Sequence, residues 1–459
     1  MVSGELSSRE VVEAHLERIA AVNPAVNAIV TLVEERAMTA AHEADQALAL
    51  GEPVGRLHGL PIAHKDLALT AGIRTTFGSP IFSDFLPNED ELFVQRLHAA
   101  GAILVGKTNT PEFGAGSQTF NEVFGATHNP YDLGCSAGGS SGGAAAALAS
   151  GMLPIADGSD LGGSLRNPAS FCNVVGFRPS PGRVPSWPSR DSRQTLSVEG
   201  PMGRTVGDAA LLLAAMTGPD PRVPVSLPES GEMFAPPLGM FGGSLDGPIV
   251  AWAPDGGGTM PVDARVRDII SASRATFESL GCHTEDAFPD LHEAREVFFT
   301  LRAHRFAADL GPLLQAHRDR MKATVVWNIE EGLRLSSADI AEAEWRWTLL
   351  TERVAAFFTR FDFIVMPVAQ VPPFDISLEY PGEVAGVPMT TYLDWMESCW
   401  CITVTGHPAI SVPCGFSDDG LPVGVQIVGR RADDLGVLRL AHAFERSTHV
   451  WRHRPQAIA

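Results

Sequence analysis

The sequence has few cations, few cysteines and no long apolar run. It contains 34 Lys and Arg but 54 Asp and Glu, which gives a formal net charge of −20 at pH 7. A nucleic-acid partner requires clustered cations to displace counterions from phosphate, so this charge balance argues against nucleic-acid binding. It favours a small neutral or cationic partner. No apolar run reaches the length of about 18 residues that spans a bilayer, which argues against a membrane protein.

Cysteine and metal-binding patterns are also sparse. The chain contains 14 His, but no H-E-x-x-H pattern occurs, so we predict neither a metal site nor a cofactor. No charged and apolar signal pattern is present near the N-terminus, and we therefore expect a cytoplasmic protein. A disulfide framework is not expected, because the cysteines are scattered: Cys135, Cys172, Cys282, Cys399, Cys401 and Cys414.

The chain has the composition of a large globular domain. It has 459 residues, of which 45% are hydrophobic and 19% charged. Helical patterns fill 1–55, and short apolar runs alternate with glycine-rich turns and helices through 56–220. The stretch 291–350 is predicted to be a variable helical insertion, and strand-like runs return in 360–459. We predict one α/β domain over 1–459, with a mixed sheet flanked by helices on both sides.

A glycine–serine segment, Gly138–Gly143, precedes the alanine-rich Ala144–Ala149, and it has two interpretations. Glycine-rich loops at helix N-termini often bind phosphate, and Gly101–Thr108 formally matches the G-x-x-x-x-G-K-[ST] pattern. The intervening Ala102–Val105 is wholly apolar, however, and predicts a buried strand. Since a strand does not wrap around a phosphate, nucleotide binding is disfavoured.

The second interpretation assigns chemistry to the serines. Asp160–Arg166 contains another glycine-flanked serine, Ser164, and Gly59–Asp66 contains Lys65. A serine hydroxyl is a weak nucleophile until a nearby base removes its proton. Lysine serves as that base only where desolvation or neighbouring cations keep it neutral.

Gly59–Asp66, Gly138–Gly143 and Asp160–Arg166, in this order, resemble the amidase signature family of hydrolases. The resemblance covers nearly the whole chain except about 291–350. Further matching segments are Gly106–Phe113, Gly125–Pro130, Gly200–Val206 and Gly406–Pro413.

The resemblance implies a Ser–cis-Ser–Lys triad. Ser164 would be the nucleophile, Ser140 the bridging serine and Lys65 the base, with a cis peptide bond between Gly139 and Ser140. The two serines lie 24 positions apart, as is typical of the family, and this separation selects Ser140 over Ser141.

Other residues of these motifs are predicted to support the reaction. Ser141, Asp160 and Arg166 would hold the catalytic turn in shape, with an ion pair between Asp160 and Arg166. His64 stands where the family commonly has a small or aliphatic residue, and strand alternation predicts that it points away from Lys65. The predicted oxyanion hole consists of the backbone N–H groups of Leu161, Gly162, Gly163 and Ser164.

The predicted activity is hydrolysis of carbonyl–nitrogen bonds through an acyl-enzyme. Small neutral aryl amides, anilides and carbamates are the expected substrates, and the urethane-cleaving branch of the family is one possibility. An alternative is the glutaminase subunit of a tRNA-dependent amidotransferase. Against it, the chain has only three tyrosines, whereas those subunits are expected to carry a tyrosine-rich segment. The other alternative is a catalytically silent binding protein. The expected assembly is a monomer or homodimer.

Overall fold

The computed structural model describes residues 4–235 and 247–458. The outermost residues of the predicted 1–459 domain and the segment 236–246 therefore lie outside the described residues. In chain order the helices are α1 (Ser8–Val26), α2 (Glu34–Ala49), α3 (Leu92–Ala99), α4 (Gly142–Ala149), α5 (Arg166–Phe171), α6 (Val206–Met216), α7 (Ala264–Ala272), α8 (Arg274–Ser279), α9 (Ala294–His317), α10 (Ala323–Arg334), α11 (Ser337–Phe357), α12 (Glu397–Thr403) and α13 (Asp434–Thr448).

The strands group into one large sheet and four small ones. Their bounds are β1 (Ile29–Leu32), β2 (Pro61–Lys65), β3 (Ile103–Thr108), β4 (Phe120–Asn121), β5 (Gly125–Ala126), β6 (His128–Asn129), β7 (Asp132–Ser136), β8 (Ile155–Asp160), β9 (Val175–Arg178), β10 (Val198–Gly203), β11 (Ile249–Trp252), β12 (His283–Asp286), β13 (Phe363–Pro367), β14 (Glu383–Val384), β15 (Val387–Pro388), β16 (Ala409–Phe416) and β17 (Pro422–Gly429).

The large sheet has eight strands in the order β12-β11-β13-β17-β16-β9-β10-β8. It is mixed, because β11 pairs in parallel with β12 and β13 and the remaining pairs are antiparallel. A Cβ atom on Gly424 of β17 would contact Ser170 of α5, whereas one on Gly429 would contact Val437 of α13. These glycines are an odd number of residues apart, so the two helices lie on opposite faces. The predicted α/β class is confirmed.

A three-stranded sheet, β1-β3-β2, contacts the large sheet where β2 packs against the edge strand β8, and β2 ends at Lys65. Every residue of β2 and β3 is buried, and for β3 the apolar run Ala102–Val105 predicted this burial. Within the nucleotide-like pattern, Lys107 Nζ donates to the Ala68 carbonyl oxygen and to Thr70 Oγ1 at 2.9 Å. The Lys107 side chain therefore joins β3 to the loop that follows β2, and it does not belong to a phosphate-binding loop.

The stretch 291–350 is mostly helical, as predicted, and forms α9, α10 and the larger part of α11. α11 begins at a capping box in which Ser336 and Asp339 bond reciprocally. All six cysteines are unpaired thiols. Within 4–235 and 247–458, no helix combines the length and the hydropathy that crossing a bilayer requires.

Candidate active site

Lys65 is the last residue of β2, and its amine is enclosed by protein. The side chain is only 2% exposed, and Nζ donates to Ser140 Oγ at 2.7 Å and to Ser159 Oγ at 3.0 Å. The strand brings Lys65 to this position because its backbone N–H donates to Asp157 Oδ1 of β8 at 3.1 Å. Two hydroxyls from separate parts of the chain thus meet one lysine amine.

The environment shifts the titration of this amine. Burial lowers the pKa of Lys65 to about 8, although the nearby carboxylates of Glu199, Asp160 and Asp157 act in the opposite direction. Burial disfavours the charged form of a lysine, because the ammonium loses its hydration. A substantial fraction of Lys65 is therefore neutral near physiological pH.

Ser140 lies in a loop whose backbone is anchored on both sides. The Gly139–Ser140 peptide bond is cis, as the family resemblance predicted. Ser117 Oγ donates to the Gly139 carbonyl oxygen at 2.7 Å, and Thr119 Oγ1 donates to that of Gly138 at 2.8 Å. These two side chains fix the direction in which Ser140 presents its hydroxyl to Lys65.

Ser164 lies in the turn between β8 and α5 and is 7% exposed. Its carbonyl oxygen accepts a hydrogen bond from the Ser141 N–H at 3.1 Å, which ties the two serine-bearing loops together. The hydroxyls of Ser140 and Ser164 line one pocket but are not hydrogen bonded to each other. Ser141 Oγ is buried and, within the described part of the chain, has no hydrogen-bond partner.

The predicted ion pair between Asp160 and Arg166 is present and fully buried. Arg166 Nη2 lies 2.9 Å from Asp160 Oδ1, and Arg166 Nε lies 3.0 Å from Oδ2. Arg178 adds a second guanidinium at 3.3 Å. Burial alone would raise the pKa of Asp160, but Arg166 and the other donors outweigh it and hold that pKa well below its usual range. The turn that contains Ser164 is thus closed around a permanent carboxylate.

One of the four predicted oxyanion donors is already engaged. The Gly163 N–H donates to Asp160 Oδ1 at 3.0 Å, whereas the N–H groups of Leu161, Gly162 and Ser164 have no acceptor among the described residues. Gly163 has φ of +114°, and a Cβ there would lie 2.5 Å from the Cβ of Cys399. Glycine is required at this position for both reasons.

The His64 ring contacts Asp157 and His98, whereas the Lys65 amine contacts Ser140 and Ser159. Its Nδ1 lies 2.5 Å from Asp157 Oδ2, and both side chains are buried. The other oxygen of Asp157 accepts the Lys65 N–H, so the carboxylate connects two successive residues of β2. This pair holds the strand that ends in the lysine.

The pocket in front of the serines has a volume of about 110 Å³. It adjoins a vestibule of about 260 Å³, and the two cavities have in common the lining residues Leu67, Phe113, Leu161, Ser197 and Phe306. A larger cavity of about 680 Å³ along α9 contains none of the three predicted triad residues, so its size does not make it the site of chemistry. Besides Ser140, Ser159 and Ser164, the small pocket is lined chiefly by Leu67, Phe113, Leu161, Phe298, Phe306, Met396, Tyr392 and Arg302.

Sequence reasoning missed several residues of this site. Ser159, which contacts the Lys65 amine, directly precedes Asp160, and the alternation of Asp157 and Ser159 along a buried strand is the sequence signal that marks it. Ser117 and Thr119 act on the backbone of a distant loop, and no local pattern marks them. Within 4–235 and 247–458, no group of three or more His, Cys, Asp or Glu is placed to hold a metal ion.

Comparison with known proteins agrees with this geometry. The amidase family model matches residues 10–438. An acylamidase from Rhodococcus erythropolis is 36% identical over 460 residues, covering 100% of this chain and 95% of that protein. A glutamyl-tRNA(Gln) amidotransferase subunit from Synechococcus sp. (strain CC9605) is 35% identical over 480 residues, covering 99% and 96%.

Among solved structures, the crystal structure of a bacterial aryl acylamidase of the amidase signature family is similar throughout. Its TM-score is 0.91 at 30% identity, covering 98% of this chain and 95% of that one. The family predicted from the motifs is thereby confirmed. This chain belongs to the amidase signature family, whose enzymes hydrolyse carbon–nitrogen bonds.

Proposed function

We propose that the protein hydrolyses small-molecule amides with Ser164 as nucleophile, Ser140 as proton relay and Lys65 as base. The observation that supports this most directly is the 2.7 Å contact between Lys65 Nζ and Ser140 Oγ, beside a pocket that Ser164 also lines. A buried amine with a lowered pKa in contact with a hydroxyl is the arrangement that activates a serine.

In the proposed reaction, neutral Lys65 takes the proton of Ser140, which takes the proton of Ser164. The freed Ser164 oxygen attacks the carbonyl carbon, and the developing oxyanion accepts from the N–H groups of Leu161, Gly162 and Ser164. The carbon–nitrogen bond then breaks as the relay returns a proton to the leaving amine. Water attacks the carbonyl carbon of the resulting ester and loses its proton to the same relay. The relay returns that proton to the Ser164 oxygen as the ester bond breaks and the acid is released.

The pocket chemistry favours an apolar group next to the scissile bond. Phe113, Phe298 and Phe306 supply aromatic surface, and Leu161 and Met396 supply aliphatic surface. Acylated aryl amines fit such a lining, and the relative from Rhodococcus erythropolis is an acylamidase. Aryl carbamates would use the same groups, with a carbonate or carbamoyl enzyme in place of the acyl-enzyme. Assignment to the urethane-cleaving branch stays a prediction.

We further propose that the helices of 291–350 set specificity. Phe298, Arg302 and Phe306 lie one turn apart along α9, and all three line the pocket. We assign the catalytic groups to 56–220, and the remaining central strands of the large sheet to 360–459. Location in the cytoplasm and a monomeric or dimeric state remain predictions.

A glutaminase subunit is the second candidate, favoured by the 35% identity to a glutamyl-tRNA(Gln) amidotransferase component. Free glutamine carries an ammonium and a carboxylate. No Asp or Glu of 4–235 or 247–458 lines the pocket beside Ser164, so the ammonium would lack a counter-charge inside that pocket; Asp309 lines only the adjoining vestibule, where it pairs with Arg305. A panel of 4-nitroanilides, aryl carbamates and glutamine separates the two functions. Glutamine turnover that appears only in a protein complex would favour the second.

Ser164→Ala tests the assignment, with Ser141→Ala as its matched control. We expect Ser164→Ala to lose hydrolysis of 4-nitroacetanilide and labelling by a fluorophosphonate probe, as judged by intact mass. Ser141→Ala should retain both, because the Ser141 hydroxyl has no partner among the described residues. Near wild-type turnover in Ser164→Ala would show that Ser164 is not the nucleophile. Absence of labelling in the wild type would favour a binding protein.

A further inference from the structure

Arg302 is a buried cation in the wall of the substrate pocket. It lies on α9, is only 4% exposed, and lines the same pocket as Ser164. Phe298 and Phe306, one turn before and one turn after it, flank it on the same wall. This wall is formed by the part of the chain that carries no family motif.

Arg302 differs from the other buried arginines in its partners. Arg166 and Arg178 pair with Asp160, and Arg183 pairs with Asp434. Within 4–235 and 247–458, no Asp or Glu lies within ion-pair distance of Arg302. It is the single buried arginine of the described chain that lacks a carboxylate.

The groups that surround Arg302 are neutral. Nη1 donates to Asn328 Oδ1, and the guanidinium carbon lies 4.2 Å from the centre of the Phe306 ring and 5.4 Å from that of Tyr392. Asn328 is held in turn, since its amide donates to Thr324 O at 2.6 Å and to the Tyr392 hydroxyl at 2.7 Å. The guanidinium is thus fixed in place by Asn328 and the Tyr392 hydroxyl, and its five N–H groups outnumber these two partners, so some stay available to a ligand.

A buried guanidinium without a counter-charge is costly, because it loses hydration that no anion replaces. Burial lowers the pKa of Arg302, yet a guanidinium remains charged in proteins. Such an arrangement is retained at a binding site when the ligand supplies the missing charge. A carboxylate is the anion whose two oxygens match the planar donor fork of arginine.

We propose that Arg302 binds a carboxylate on the substrate, so that the preferred amides are anionic. This inference rests on the proposed function and narrows its substrate class. It departs from the neutral substrate expected from the net charge of −20, because a local cation in a closed pocket outweighs the mean charge of the surface. The carboxylate belongs either to the acyl part or to the amine part of the substrate.

Two matched substrate pairs distinguish these positions. Succinic monoanilide against butyranilide places the carboxylate in the acyl part, and 4-acetamidobenzoate against 4-methylacetanilide places it in the amine part. In the wild type we expect the anionic member of one pair to have a kcat/KM about 10- to 100-fold higher than its neutral partner, mainly through KM. The pair that shows the preference locates the carboxylate.

Arg302→Met should reduce this preference to near unity, and Arg302→Lys should retain part of it. Arg295→Met is the control, because Arg295 lies on the same helix but pairs with Asp394 and is half exposed; it should keep the full preference. If Arg302→Met does not fold, as thermal unfolding would reveal, the wild-type preference and the Arg302→Lys variant decide the question.

Equal kcat/KM within both pairs in the wild type would overturn the proposal and leave the amidase function intact. An equal loss for anionic and neutral substrates in Arg302→Met and Arg302→Lys would also overturn it, because Arg302 would then act only on the shape of the pocket. Failure of the proposed amidase function would give a different result from failure of the Arg302 proposal. In that case none of the four anilides would be hydrolysed and Ser164 would not react with a fluorophosphonate.

Discussion

Raising the pH from 7 to 9 should accelerate amide hydrolysis about tenfold, because the proposed base must be neutral to accept a proton. Burial lowers the pKa of Lys65 from 10.5 to about 8. An amine with a pKa of 8 is about 10% neutral at pH 7 and about 90% neutral at pH 9. At the ordinary value, about 0.03% would be neutral at pH 7, so burial increases the reactive fraction roughly 300-fold.

The assay is kcat/KM for 4-nitroacetanilide between pH 6 and 10, with the Ser164→Ala rate subtracted at each pH. We expect one inflection near pH 8, with activity low on the acid side. A pH profile of kcat/KM reports the free enzyme, in which the Lys65 amine is enclosed by protein. Lys65→Met should abolish both the activity and the inflection.

Lys107 provides the matched control for this profile. It is also fully buried, and burial lowers its pKa to about 8 as well. Its Nζ donates to Ala68 O and Thr70 Oγ1 and contacts neither Ser140 nor Ser164. Lys107→Met should therefore retain the inflection near pH 8, provided that the variant folds. A flat profile between pH 7 and 9 in the wild type, or an inflection lost in folded Lys107→Met, would refute the role of Lys65.

Two further predictions concern the turn that contains Ser164, the proposed nucleophile. Asp160→Asn leaves two buried guanidinium groups without a carboxylate and should lower the free energy of unfolding by about 3–5 kcal/mol. Urea denaturation measures this change. The control is Asp286→Asn, which removes an exposed carboxylate and should change the free energy of unfolding far less. Gly163→Ala would bring a Cβ to 2.5 Å from Cys399 and displace the turn, so kcat should fall about 100-fold. Gly151→Ala, at a positive φ with open space around it, should leave kcat near wild type, and equal losses in both variants would contradict the steric argument.

The candidate site could be predicted from the sequence as far as its signals are local. Each residue of the proposed triad stands in a short motif, and the separation of 24 positions between Ser140 and Ser164, compared with that typical of the family, favoured Ser140 over the adjacent Ser141. The Asp160–Arg166 ion pair was predictable because its two members stand at the ends of one tight turn. The apolar run Ala102–Val105 likewise predicted the buried strand β3, and 291–350 was predicted to be mostly helical, in both cases without reference to any partner.

Other features depended on contacts between distant parts of the chain. Ser159 bonds to a lysine 94 positions away, and the Asp157 carboxylate reaches back to His64 across 93 positions. The oxyanion turn was predicted as four equivalent donors, but the folded Asp160 carboxylate engages the Gly163 N–H. The sequence does not show that Asp160 and a substrate oxyanion compete for the Gly163 N–H, because this competition arises only when the turn closes.

What the sequence alone determined is therefore which residue types stand in the reactive motifs and in which kind of element. What only the tertiary structure decided is the electrostatic state of those groups. Lys65 has a lowered pKa because strands and loops from distant parts of the chain exclude water from its amine. Arg302 lacks a counter-ion because α9 brings it into a wall of neutral side chains. Desolvation and ion pairing depend on everything within a few ångströms, and those neighbours are set by the fold and not by the order of residues.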